Sequence, residues 1–242
     1  MIKQIYFDAG KVIFTRRTPD GDNIAKLLGF PKEEYQNILQ KVIELQIQED
    51  NDQFWAIRTL DDEYNYLNKF HKKMCEYLKH SYDEEFLTKL SECRIKADFV
   101  VNEGVIETLE KLKEKYKLSI LSNALPSRRH HELLMRNLIN YFDPIVISFE
   151  IGVQKPELEI FTYALRQSSF LPSEVAFVDD KLENLLVAEQ AGFGQGILFS
   201  KETHPKFKST INFRDLPNLI NGHMKEAYAL LGAHTPLELF NL

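Results

Sequence analysis

The sequence predicts an α/β protein: a parallel sheet with helices on both faces, interrupted early by an inserted α-helical domain. Three observations predict it. A short apolar strand near the N-terminus stops at Asp8-Ala9-Gly10. From about Thr18 to Lys96 apolar residues recur at helical spacing, with no strand signal. After Asp98, strand-like and helix-like segments alternate as far as Phe199. Such alternation is the mark of βαβ units, whose crossovers put helices on both sides of a parallel sheet.

In chain order, Ile2 to Phe7 forms the first strand, through Ile2, Ile5, Tyr6 and Phe7. A carboxylate just past a buried strand is where open α/β sheets place ligands. The helical block follows, in sets beginning Ile24-Leu27-Leu28, Tyr35-Ile38-Leu39-Val42, Phe54-Trp55-Ile57-Leu60, Tyr64-Leu67-Phe70-Met74 and Phe86-Leu87-Leu90. The charges between them suit the outer faces of a bundle. Asp52 is placed to cap the Phe54 helix, and Asp83 to open the last one. Val105 to Tyr116 reads as an amphipathic helix with Ile106, Leu109 and Leu112 inward. Leu118 to Leu121 is a strand, Arg128 to Phe142 a helix, and Ile145 to Phe149 a strand. Pro156 opens a helix at its favoured first position and runs to about Arg166. Val175 to Val178 is a buried strand, Leu182 to Ala191 a helix closed by Gly192, and Gly196 to Phe199 a further strand. The expected division is an α/β core of residues 1–17 and 97–242, with residues 18–96 inserted. No internal repeat is apparent.

Composition narrows the function classes. Apolar residues make up 44% and charged residues 27% of the 242 residues, which excludes disordered and collagen-like chains. The net charge of −6 gives no overall attraction for nucleic acid or an anionic membrane, although a local basic patch would not show in it. The two cysteines, Cys75 and Cys93, form no C-x-x-C pair and no disulfide framework. The N-terminal apolar run is too short for a signal peptide, and no stretch approaches the roughly 18 apolar residues of a membrane span. A soluble, cytoplasmic protein is expected.

Polar residues stand where the apolar strand runs stop: Asp8, Ser122-Asn123, the Lys155-Pro156 turn and Asp179-Asp180. Each alone has an ordinary explanation as a turn residue, a helix cap or a solvated lysine. In a parallel sheet, however, the C-terminal strand ends converge on one crevice. Together and in this order they point to a site.

The set resembles the haloacid dehalogenase superfamily of aspartate-nucleophile hydrolases. Phe-Asp8-Ala-Gly10-Lys-Val-Ile is similar to its first motif, Leu-Ser122-Asn123-Ala to its second, and Gly-Val-Gln-Lys155-Pro156 to its third. Phe-Val-Asp179-Asp180-Lys-Leu-Glu-Asn184, followed by Ala191-Gly192, is similar to its fourth. The Asp-Asp…Asn form resembles the branch that includes the phosphatase domain of soluble epoxide hydrolases. The resemblance implies a Rossmann-like core, a helical cap over residues 18–96, and Mg²⁺-dependent phosphatase activity on a small phosphorylated substrate. It implies Asp8 as nucleophile, and Asp8, the Gly10 carbonyl and Asp180 as Mg²⁺ ligands, hard oxygen donors that suit this ion. Lys155 would neutralise phosphate and Asp8. Ser122, with the backbone N–H groups after it, would bind a phosphoryl oxygen. Asp179 and Asn184 would hold a metal-bound water or Lys155.

One position departs from the pattern. The family commonly has a second Asp two residues after the nucleophile, as general acid and base. Here that residue is Gly10, and the next is Lys11 where Gly is usual. A backbone carbonyl survives the change; the acid, typically worth about 10²–10⁴-fold, does not. Lys11 reads as a substitute proton donor or as a surface lysine. Three functions therefore stand: a Mg²⁺-dependent phosphatase, a catalytically impaired member that acts by binding, and a metal-independent haloacid dehalogenase. Gly10 suits the last, but an unbridged Asp179-Asp180 pair would repel its carboxylate substrate.

Weaker features remain. Gly192-Phe-Gly194-Gln-Gly196 follows a helix and precedes a strand, the reverse of a dinucleotide loop. His130-His131 sits near a helix start, and Arg16 and Arg17 lie where the core passes into the insertion, facing an anionic substrate or water. The apolar tail Pro236 to Leu242 is expected to pack on its own core, ahead of the alternative that it packs on a partner.

Overall fold

The structure is a computed structural model that describes residues 1–17, 20–50, 56–95, 99–127 and 138–220. Its strands are β1 (Gln4–Phe7), β2 (Phe14–Arg16), β3 (Phe99–Val101), β4 (Lys117–Ser122), β5 (Ile145–Ile147), β6 (Val175–Asp179), β7 (Gln195–Leu198) and β8 (Lys208–Ser209). Six of them form one sheet in the order β5-β4-β1-β6-β7-β8, and every pairing in it is parallel. The first strand lies inside the sheet, where Ile5, Tyr6 and Phe7 lose all contact with water. Phe7 is level with Ile120 of β4 and Val178 of β6. That register brings the residues after all three strands to one edge.

Alternation along the strands assigns the two faces. Ile5, Phe7, Ile120 and Val178 face α5 (Val105–Lys113) and the 216–219 turn of α9 (Leu216–Leu219). Tyr6, Leu121 and Phe177 face the other way, onto α7 (Leu158–Gln167) and α8 (Leu182–Ala191). A short helix, α6 (Ser148–Ile151), follows β5 directly. Gly192 closes α8 at φ 108°, a left-handed conformation open to glycine.

Between β2 and β3 run α1 (Asp20–Leu28), α2 (Lys32–Asp50), α3 (Leu60–Leu78) and α4 (Glu84–Ile95). Their apolar faces form a separate core of Ile24, Leu28, Tyr35, Val42, Phe70, Met74 and Leu90, distinct from the two sheet cores. Thr59 opens α3 with a capping box, accepting from the Asp62 N–H while the Asp62 carboxylate accepts from the Thr59 N–H. Asp83 accepts from the Phe86 N–H at 2.8 Å, as expected of the residue opening α4.

Several details differ from the sequence reading. Ile106 points to solvent, 53% exposed, while Val105, Thr108, Leu109 and Leu112 face inward. The buried stripe follows the i, i+4, i+7 phase set by Val105, and Ile106 is about 100° off it. Pro156 is not the first residue of a helix: its peptide bond with Lys155 is cis, and α7 begins at Leu158. The chain also enters and leaves the helical block through an antiparallel ribbon, β2 with β3. Those strands are three residues each, too short for a periodic pattern. Asp52 and most of the expected 128–142 helix lie outside the described residues, as do His130, His131 and the tail; residues Ile139–Tyr141 form a single 3₁₀ turn.

Candidate active site

Asp8 emerges from β1 with its N–H donating to the Val178 carbonyl at 2.8 Å, which ties it to the end of β6. Ser122 ends β4 and is buried; Asp179 ends β6 and is fully buried. Lys155 reaches between these strand ends. Its ammonium lies 2.7 Å from Asp8 Oδ1 and 2.7 Å from Asp179 Oδ2. The Phe177 ring sits beneath it, 5.2 Å from nitrogen to centroid. The lysine backbone is fixed too: Asn123 Nδ2 donates to the Lys155 carbonyl at 2.8 Å, and the Lys155 N–H donates to Asn123 Oδ1 at 2.8 Å. Of the N–H groups after Ser122, that of Ala124 is committed to Ser148 Oγ at 3.1 Å.

Asp179 has little freedom left. Its oxygens accept from the Lys181 N–H at 2.8 Å and from Asn184 Nδ2 at 2.9 and 3.0 Å. Because a carboxylate only accepts, Asn184 must present its NH₂ to Asp179. Its Oδ1 is then left buried without a protein partner among the described residues, an acceptor suited to a bound water. Asp8, Asp179 and Asp180 each offer one oxygen, and these lie within 4.8 Å of one another. Hard carboxylate donors this close fit Mg²⁺, whose ligands sit at about 2.1 Å.

The loop after Asp8 is tightly folded. The Ile13 and Phe14 N–H groups both donate to the Ala9 carbonyl at 3.0 Å, and Asn102 Nδ2 donates to the Lys11 and Val12 carbonyls at 2.7 and 3.0 Å. Lys11 adopts φ 63°, a left-handed turn that ordinarily favours glycine. The turn aims its side chain at the site, where the ammonium lies 2.8 Å from Asp180 Oδ2. Lys11 is thus a largely exposed lysine whose ammonium pairs with the Asp180 carboxylate. Gly10 has no positive φ, and a Cβ built on it would meet nothing nearer than Asp8 Oδ2 at 3.9 Å.

Burial pushes the Asp8 carboxyl up to about 6; Lys155 pulls against this, and the neighbouring Asp179 and Asp180 charges add to it. Burial disfavours the charge on Lys155, but attraction to Asp8 and Asp179 prevails, and its pKa is raised. Hydrogen bonding and attraction to Asp180 raise that of Lys11. Lys155 therefore stays an ammonium, and Asp8 is a carboxylate that burial has made more basic.

The strand endings point to Asp8, Ser122, Asn123, Lys155, Asp179 and Asp180, and the family resemblance adds Asn184; all lie along this edge of the sheet. Asn102 and Ser148 were not foreseen. Each acts on a backbone group of another segment, which no local spacing records. The Arg16 side chain lies outside the described set, and Arg17 is exposed.

A parallel sheet with this group of residues at its carboxyl edge defines a class, the haloacid dehalogenase-like hydrolases. The model of that family matches residues 14–195, and the chain belongs to it. Asp8, Gly10 and Lys11 precede the matched span. Among curated relatives, a glyceraldehyde 3-phosphate phosphatase of Methanothermobacter thermautotrophicus is 34% identical over 98 residues, 40% of this chain and 43% of the relative. A D-ribitol-5-phosphate phosphatase of Bacteroides thetaiotaomicron is 31% identical over 88 residues, 34% of this chain and 43% of that one. The match thus spans under half the length of these relatives. The fold is shared with the HAD-hydrolase YfnB of Bacillus subtilis at TM-score 0.65 and 18% identity, covering 91% of this chain and 99% of YfnB. It is shared also with the L-2-haloacid dehalogenase of Xanthobacter autotrophicus, at TM-score 0.64 and 18% identity over 92% and 99% of the two chains. No helix among the described residues is long and apolar enough to cross a membrane.

Proposed function

We propose that this chain is a Mg²⁺-dependent phosphohydrolase of a small phosphorylated metabolite, working through an aspartyl phosphate on Asp8. In this reading residues 18–96 form a cap over a core of 1–17 and 97–242, in the cytoplasm. The observation that carries it is the buried ammonium of Lys155 held between Asp8 and Asp179, with Asp180 alongside. Such an arrangement prepares a carboxylate to meet an anion.

Asp8 attacks phosphorus, forming an O–P bond as the ester oxygen leaves with its electron pair. Water then attacks the phosphoryl group, giving inorganic phosphate and the free carboxylate. Lys155 offsets the charge of both reactants throughout. Ser122 holds a phosphoryl oxygen, and Asn123 fixes the lysine that faces it. Asp8, the Gly10 carbonyl and Asp180 would hold Mg²⁺, which when bound screens carboxylate from phosphate. Asp179 and Asn184 orient Lys155, and Asn184 Oδ1 accepts from a water. Relatives named for glyceraldehyde 3-phosphate and D-ribitol-5-phosphate support a small phosphorylated metabolite as substrate. The acidic pair Asp179-Asp180 disfavours a haloacid, whose carboxylate would stand beside it.

The test is hydrolysis of p-nitrophenyl phosphate with Mg²⁺ and with a chelator. Activity that needs Mg²⁺, vanishes in Asp8→Asn, and needs more Mg²⁺ in Asp180→Asn is expected. A folded Asp8→Asn protein that turns over like the wild type would exclude the aspartyl phosphate. Phosphate binding without turnover in the wild type would favour the impaired, binding reading.

A further inference from the structure

We propose that a cavity between the helical block and the core selects substrates with a carboxylate at the end remote from the phosphate, held by Arg58 and Arg94. The inference rests on the phosphatase reading and names its substrate class.

The cavity has a volume of about 260 Å³. Its core side begins one residue from Ser122, at Asn123, and one residue from Lys155, at Gln154. It therefore continues outward from the phosphate end of the site. The size suits a carbon skeleton of a few atoms, below the usual range of about 300–1,000 Å³ for larger ligands. Phe149 and Val153 give it an apolar wall.

The opposite side carries the cations. Arg94, in the last turn of α4, lines the cavity, and its Nε is buried with no hydrogen-bond partner among the described residues. A buried guanidinium N–H without an acceptor is costly, and a bound anion would satisfy it. Arg58 lies just before the Thr59 cap, with Nη1 donating to the Ile57 carbonyl at 2.9 Å. Its Nη2 packs against Gly152, 2.6 Å from where a Cβ of that residue would be. Glu157 is the acidic member of the lining. Among the lining residues two guanidiniums stand against the single carboxylate of Glu157, which favours an anionic group of the substrate at this end. Guanidinium also fits carboxylate geometrically, through two parallel N–H donors.

The experiment compares 3-phosphoglycerate with glycerol 3-phosphate, which share a three-carbon phosphate ester and differ in carboxylate against alcohol. Each is titrated by calorimetry, in Mg²⁺ buffer, into Asp8→Asn protein, so that binding is read without turnover. 3-Phosphoglycerate should bind at least about tenfold tighter, the scale of a charge-assisted hydrogen bond. Adding Arg94→Gln or Arg58→Gln should remove most of that preference and leave glycerol 3-phosphate binding within about twofold. Melting curves confirm that each variant folds, and Arg58→Gln keeps the test open should Arg94→Gln not. Equal binding of the two esters, or a preference that survives both substitutions, overturns the proposal while the phosphatase reading stands. Binding of neither ester also overturns it, and the phosphatase reading is then decided by the p-nitrophenyl phosphate assay alone.

Discussion

Lys11 shows what one residue does in this site. Its left-handed backbone costs roughly 1–2 kcal/mol relative to glycine, and it directs an ammonium onto Asp180. The ion pair recovers little of that, because the lysine side chain is 74% exposed and water screens it. Its larger effect is on the proposed metal: Asp180 is already paired with a tethered cation. Lys11→Gly should therefore melt at the same temperature or slightly higher, and bind Mg²⁺ about tenfold tighter, from Coulomb energies of about 1 kcal/mol per charge in water. Calorimetric Mg²⁺ titration decides it, and unchanged or weaker binding would show that Lys11 does not compete. Gly10 supports a second expectation. Its backbone and surroundings accept a Cβ, so Gly10→Asp should fold. The new carboxylic acid should speed alkyl phosphates by up to about 10²–10⁴-fold and aryl phosphates far less. Rates over a series of leaving-group pKa values test this; a wild-type series already insensitive to leaving-group pKa would argue for another proton donor.

At the scale of elements, α3 and α4 are joined by a buried polar chain. Ser91 Oγ donates to Asn68 Oδ1 at 2.6 Å, so His71 Nδ1 at 3.0 Å donates to Ser91, leaving Nε2 unprotonated and buried, with no hydrogen-bond partner among the described residues. Burial, aided by Arg94, pulls the His71 pKa from 6.5 down to about 3. Above pH 6.5 the imidazole is neutral in folded and unfolded chains and adds no pH dependence. Below it only the unfolded chain takes the proton, so stability falls with pH until about 3, by about 2 kcal/mol at pH 5. His71→Asn keeps a donor near Nδ1 and removes the titration. It should be less stable at neutral pH yet lose less between pH 7 and 5, measured by urea melts; a slope equal to the wild type would refute the assignment. Sequence periodicity located both helices well, because their apolar faces repeat over many residues. It did not reveal this chain, since His71, Ser91 and Asn68 meet only once two helices have packed.

For the whole molecule, the sheet and the edge that carries the candidate site were legible for one reason: buried parallel strands are apolar runs, and a polar residue at the end of each marks the crevice. The contacts between helical block and core were not, because they depend on how two separately built cores meet. Glu63 is the clearest case. Within Asp61-Asp62-Glu63 it reads as one more surface charge, yet it is 1% exposed. Its oxygens accept from the Ser127 N–H at 2.8 Å and Ser127 Oγ at 2.7 Å, joining α3 to the segment that follows Ser122. That segment carries Asn123 and Ala124, which line the cavity beside the candidate site, so the bond ties the helical block to the stretch that bears them. Glu63→Ala leaves a buried N–H and hydroxyl without an acceptor, at a cost of about 1–3 kcal/mol. Glu63→Gln keeps one acceptor and should cost less. Denaturant melts should rank wild type, Gln and Ala in that order, and hydrogen exchange at the Ser127 amide should quicken in the same sequence. If the block merely rests on the core, Ser127 exchange will not change with residue 63, and the helical block will stay equally protected in all three proteins.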